Sequence, residues 1–95
     1  MISRTTDRFW RCYRELPAEI KIEAKEAYKK FKRDPYYPAL HFKRIHSTRS
    51  ISSIRITKDY RAVGIQQNKE IIWFWIGSLL VVNESTGAKV ELPIN

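Results

Sequence analysis

One cysteine, three glycines, four prolines and only 10 acidic side chains in 95 residues close off several classes of protein at once. The single thiol, Cys12, has no second cysteine to pair with, so the chain is not a disulfide scaffold and suits a reducing compartment. Its three scattered glycines (Gly64, Gly77 and Gly87) build no phosphate-cradling loop. His41 and His46 are five apart, with no cysteine or carboxylate set beside them, so neither a metal nor another cofactor is expected. Ser52 and Ser53 stand in no nucleophile-elbow motif. The longest apolar run, 71–82, is interrupted by Gly77 and Ser78 and falls short of the ~20 residues that span a bilayer. The opening MISRTTDRFW lacks the apolar stretch of a secretory signal. No membrane partner is expected, and the expected location is cytoplasmic.

What is present is a small folded domain with too much positive charge. Hydrophobic residues make up 43% and aromatics 13%, far too rich for a disordered chain. A chain of this length forms a single domain and buries roughly 65% of the surface its unfolded form exposes. Eighteen Lys and Arg against ten Asp and Glu leave a net charge of +8, unevenly placed: +4 over residues 1–34, +5 over 35–61 and −1 over 62–95. Such a block fits either a polyanionic or acidic partner, or a solvated surface that keeps a small protein in solution.

The hydrophobic period changes along the chain. Phe9, Tyr13 and Leu16 recur at helical spacing after Thr6 and Asp7, which predicts a helix over 7–16. Pro17 suits the start of a second helix, whose stripe Ile20, Ala24, Ala27 and Phe31 runs to about Asp34 before Pro35 stops it. From there the period falls to two. Leu40 and Phe42 are expected on one side of a strand, with His41 and Lys43 on the other. Ile54 and Ile56 alternate with Ser53, Arg55 and Thr57, and Arg61, Val63 and Ile65 share a face. Turns are expected at Lys58-Asp59 and Gln67-Asn68. Residues 71–76 are apolar on both faces and read as the central strand. The prediction is an α+β fold. A helical hairpin (1–34) packs on a four-stranded antiparallel meander (39–78), with room for a short N-terminal edge strand at 1–4, and a C-terminal extension (79–95) reads as a hairpin.

The chemistry available is cationic and strand-borne. A ribonuclease that uses the substrate 2′-hydroxyl needs a base, an acid and cations on the scissile phosphate. Here His46 or Lys58 are the candidates for moving protons, and Arg55, Arg61 and Lys43 for holding charge. Arg44, Arg49 and Lys58 add phosphate-binding cations. The plainer alternative is a set of cross-strand surface charges that solubilise a sheet edge.

Four strings favour the first reading. Leu40-His41-Phe42-Lys43-Arg44-Ile45, Ser53-Ile54-Arg55-Ile56, Asp59-Tyr60-Arg61-Ala62-Val63-Gly64 and Trp73-Phe74-Trp75-Ile76-Gly77-Ser78 occur in order. Together, over about residues 3–78, they resemble the RelE/ParE superfamily of toxins from bacterial type II toxin–antitoxin systems, and most nearly its RelE-like branch. The resemblance implies an acidic, partly disordered antitoxin as partner. It also implies one of two activities: cleavage of messenger RNA in the ribosome, as in RelE members, or inhibition of DNA gyrase without RNA cleavage, as in ParE members. Carried over, Arg55 matches the family's strand arginine, Arg61 the arginine of its Tyr-Arg string, and Lys43 and Arg44 its basic residues on the preceding strand. After Ser78 relatives continue with a basic residue and an acidic-aromatic pair. This chain instead has Leu79-Leu80-Val81-Val82, so the family's C-terminal catalytic residues have no counterpart. The resemblance then leaves either a proton-transfer group from elsewhere, such as His46, or a toxin homologue that binds its antitoxin without catalysis.

Overall fold

Thr6 opens the first helix. Its Oγ1 accepts a hydrogen bond from Phe9 N at 3.1 Å, and Asp7 places a negative charge in the first turn of α1 (Asp7–Arg14). The helix ends two residues earlier than its apolar spacing suggests. Pro17 forces Leu16 away from helical geometry, and Leu16 is buried from the turn instead. The second helix, α2 (Ala18–Arg33), carries Lys30, Lys32 and Arg33 in its last turn and closes at Asp34 in extended geometry, with Pro35 next. These are residues of a computed structural model that describes positions 1–46 and 48–79.

The strand predicted around Leu40 is mostly not a strand. Pro38–Leu40 form one 3₁₀ turn, and His41 adopts a left-handed backbone with φ 45°. The physical reason is Leu40 itself. At 1% exposure it is among the most deeply buried side chains, and a turn, not an extended run, delivers it under α2. Only Lys43–Arg44 remain as β2, so His41 and Lys43 do not line one face of a common strand.

The other strands are β1 (Ile2–Thr5), β3 (Ile51–Thr57), β4 (Tyr60–Gln67) and β5 (Glu70–Ser78). They form a five-stranded sheet in the order β1-β5-β4-β3-β2. The meander from β2 to β5 is antiparallel as expected, and the N-terminal strand joins it, but parallel to β5, so the sheet is mixed. The apolar β5 is interior, between β1 and β4, while β4 takes the middle place. The second turn falls on Asn68 and Lys69, with Asn68 at φ 56°, a conformation asparagine tolerates. The predicted C-terminal hairpin lies outside the described residues, apart from Leu79, whose N–H donates to Asp59 O at 3.0 Å.

Both helices cover one face of the sheet. There Phe31, Leu40, Ile54, Ala62, Ile71 and Trp73 form the main core. A ladder of rings runs outward from it. Trp73 meets Phe31 with centroids 5.4 Å apart, Phe31 meets Phe42 at 5.2 Å, and Phe42 meets Tyr36 at 5.7 Å. A bulge decides what the opposite face carries. Val63 pairs with Trp75 and Gly64 with Trp73, so Phe74 is an extra residue on β5. Without it Trp73 and Trp75 would share a face. With it Trp75 turns away from the Phe31 core and packs with Ile51 and Val63 in a second cluster that Cys12 of α1 also touches.

Candidate functional site

On the face away from the helices, Arg55 of β3 and Arg61 of β4 are direct cross-strand partners. Both are half-buried. Arg61 does not simply project into solvent. Its Nη1 donates to three backbone oxygens of its own hairpin turn, those of Thr57 at 2.6 Å, Tyr60 at 3.0 Å and Lys58 at 3.2 Å. The side chain therefore staples the 57–60 turn and holds its guanidinium in a set place. Burial, then the like charge of Arg55, holds its pKa below the ordinary arginine range, and the carboxylate of Asp59 pulls the other way. It remains a cation at neutral pH. Among the described residues the ion pairs are Arg4 with Glu70 and Lys29 with Glu26, so neither Arg55 nor Arg61 has a bridging carboxylate. Like charges directly opposite on a sheet destabilise it. An anion between them removes that penalty. Lys58, exposed at the tip of the same turn, adds a third cation.

Arg44, His46 and Arg49 form a second group at the other end of β3. Arg44 Nε donates to the carbonyls of His46 and Arg49, both at 3.1 Å. His46 Nδ1 accepts from the backbone N–H of Thr48 and of Arg49, both at 3.2 Å. A ring nitrogen that accepts two N–H groups carries no proton, which by this hydrogen-bond network assigns the neutral ring's proton to Nε2. The ring organises the β2–β3 loop in this arrangement, and taking a proton from a 2′-hydroxyl would require it to leave these contacts or turn over.

The predicted cations thus fall into two clusters rather than one. Ile45 N bonds to Ile51 O at 2.9 Å, which pins the loop to the start of β3. Arg55 lies four residues further along, about 13 Å at ~3.3 Å per residue. Arg55, Arg61 and Lys58 come together at the turn end, and Arg44, His46 and Arg49 at the loop end. Lys43 sits between, paired with Ser53. Among the described residues no three His, Cys, Asp or Glu side chains gather as a metal site.

Two recesses were not anticipated from sequence. One, of about 380 Å³, lies at the β2 edge on the helix side of the sheet and includes Tyr36, Arg44 and Gln66. The other, of about 640 Å³, is an apolar groove between the helices and the sheet, floored by Phe9, Ile54, Ala62 and Trp73. Its rim carries Arg4, Lys25, Lys29 and Lys32. The signal available for the first was an aromatic pair, Tyr36 and Tyr37, between Pro35 and Pro38. For the second it was Trp10, an aromatic beside the apolar stripe of α1 rather than on it, and 44% exposed.

A family model described as the ParE-like toxin domain matches residues 18–78, well over half of the chain. No curated protein matches the sequence. Solved structures are similar in fold. The RelB–RelE antitoxin–toxin complex from Methanococcus jannaschii aligns with a TM-score of 0.72 at 14% identity, over 87% of this chain and 98% of that chain. The YoeB/ParE toxin from Agrobacterium tumefaciens aligns at 0.65 and 17% identity, over 82% and 98%. The toxin–antitoxin complex RelBE2 from Mycobacterium tuberculosis aligns at 0.65 and 18% identity, over 81% and 95%.

Proposed function

The chain belongs to the ParE-like toxin family, within the RelE/ParE superfamily of toxin–antitoxin toxins, and from that premise we propose that it acts in the cytoplasm as a ribosome-dependent messenger-RNA endonuclease restrained by an acidic antitoxin. The observation that carries this reading is the Arg55–Arg61 pair. Two guanidiniums on neighbouring strands, one locked by its turn, form a fork for a phosphodiester that no described carboxylate neutralises. Lys43 and Lys58 extend the positive track to either side. The 2′-hydroxyl of the substrate supplies the nucleophile. His46 acts in proton transfer only after its ring leaves the loop contacts.

The apolar groove supports the partner. Its rim cations Lys25 and Lys32 have no carboxylate within ion-pair distance among the described residues, and Lys32 rests over the ring of Tyr28 at 5.5 Å. An amphipathic acidic segment satisfies both the floor and the rim. Its association slows as salt shortens the Debye length, about 8 Å at physiological ionic strength.

A second reading has its own support: the matching family model is ParE-like, and Nδ1 of His46 is committed to the loop. On that reading the chain inhibits DNA gyrase or binds its antitoxin without cutting RNA. Primer extension on messages from cells expressing the chain, and on purified message with and without ribosomes, separates the two. New 5′ ends that require ribosomes and vanish in Arg55→Ala are expected. Toxicity with intact messages moves the assignment to the non-cleaving reading.

A further inference from the structure

The recess at the β2 edge has the makings of a base-binding site separate from the arginine pair. Tyr36 is 70% exposed, yet its ring is not loose. It leans on Phe42 at the outer end of the ring ladder, and its backbone N–H is held by Asp34 Oδ1 at 2.9 Å. The ring meets Phe42, itself packed against the core, at an angle of 49°, and its outer side faces solvent. Around the same recess stand Arg44, Gln66 and Asn68, with Lys43.

Arg44 is held by its side chain, and Gln66 and Asn68 by their backbone. Arg44 spends its Nε on the carbonyls of His46 and Arg49, which aims the remaining guanidinium nitrogens elsewhere. Gln66 is set by the bond of its N–H to Ser50 O at 2.7 Å. Asn68 sits in the left-handed position of the β4–β5 turn. Among the described residues no acidic side chain lines the recess. A side-chain amide offers a donor and an acceptor side by side, which is what the edge of a nucleobase presents. An exposed ring backed by a rigid partner is a platform for its flat face.

We propose that this recess binds one base of single-stranded RNA, stacked on Tyr36 and read at its edge by Gln66 and Asn68. Lys43, on the edge strand, takes the phosphate that links this nucleotide to those on the face of Arg55 and Arg61. The proposal rests on the RNA-cleaving reading, and adds to it a subsite beyond the cationic pair. The strand of RNA then passes around the β2 edge, with phosphate at Arg55 and Arg61 on one face and a base lodged on the other.

The test uses the full chain and a fluorescein-labelled, 12-nucleotide single-stranded RNA of mixed sequence, with affinity followed by anisotropy across a salt series. Tyr36→Ala is expected to weaken binding about tenfold, in the range of one lost base stack, with an unchanged salt slope and an unchanged melting temperature. Tyr36→Phe keeps the ring and should bind as the parent does. Lys43→Ala should instead reduce the salt slope by about one phosphate contact. If the parent binds RNA and Tyr36→Ala and Gln66→Ala bind equally well, the subsite is refuted while RNA cleavage stands. If the parent neither binds this RNA nor cuts messages on ribosomes, both fall together.

Discussion

Trp73 and Trp75 stand two residues apart on β5, yet the bulge at Phe74 sends them to opposite faces of the sheet, and each lies over a glycine. Beneath Trp73, a Cβ on Gly64 would lie 2.9 Å from the carbonyl oxygen of Ile72 and 2.9 Å from the indole. Beneath Trp75, a Cβ on Gly77 would meet chiefly the far edge of the indole, at 2.8 Å. The first obstacle is backbone in a face roofed by two helices. The second is a side chain on the face that carries Arg55 and Arg61. One face is built so that nothing can shift, and it holds the fold. The other has a smaller core of its own, Ile51, Val63 and Trp75, with Arg55 and Arg61 beside it, and there the substitution of Arg55 should register in activity before stability.

The largest expected effect on stability follows from truncating the roofed face. Trp73→Ala removes a side chain that is 4% exposed and packs on Phe31. It should destabilise the chain by about 3–5 kcal/mol, the usual range for a buried aromatic, as read from urea unfolding. A loss under about 1 kcal/mol would mean that the ring ladder does not hold the core. Next come the glycines. Gly64→Ala should cost about 1–3 kcal/mol, because neither the Ile72 carbonyl nor the confined indole can retreat without disturbing the ladder. Gly77→Ala should cost less, about 1 kcal/mol at the low end of that range, because only the Trp75 indole and no backbone atom stands in the way. Equal costs at the two glycines would erase the distinction between the faces.

The helices and the meander were legible in the sequence because period and punctuation agreed there: Thr6 and Asp7 at one start, Pro35 after one end, Lys58-Asp59 at one turn. Three features were not. The turn at Pro38–Leu40 escaped because Leu40 and Phe42 mimic strand alternation, while burial of Leu40 under α2 overrides it. The bulge at Phe74 escaped because an unbroken apolar run carries no mark of which residue is extra. The division of the cations escaped because alternation places Arg44 and Arg55 on faces but says nothing of the ~13 Å of strand between loop and turn. The candidate residues could be named one by one, but their grouping depended on register.

Arg61 sharpens the comparison from the charged side. Its three bonds to turn carbonyls make it a structural residue as well as a cation. Arg61→Ala should therefore cost about 1–2 kcal/mol, the scale of hydrogen bonds from a charged group in a partly exposed setting, along with activity. Arg61→Lys keeps the charge but not the planar fork, so it should restore phosphate attraction only in part and leave the turn loosened. Proton exchange at the amides of 57–60 reports the turn independently of activity: faster exchange in Arg61→Lys is the expected result, and protected amides would show that the carbonyl contacts do not matter.

Arg55 should have the smallest effect on stability and a large one on function. It has no hydrogen bond or ion pair in its favour among the described residues, and it faces a like charge across the ladder. Removing it loses little packing and relieves repulsion. Arg55→Ala should thus change unfolding free energy by no more than about 0.5 kcal/mol, with any change leaning toward stabilisation at low salt and fading as salt screens the pair. Cleavage, where phosphate contact is made in the transition state, should fall by two to three orders of magnitude, about the effect of deleting one preorganised donor. Melting curves at two salt concentrations and primer extension on the same variant test both halves. A marked loss of stability at low salt would mean that Arg55 makes a stabilising contact after all, and its place would then be in the structure of that face rather than in its chemistry.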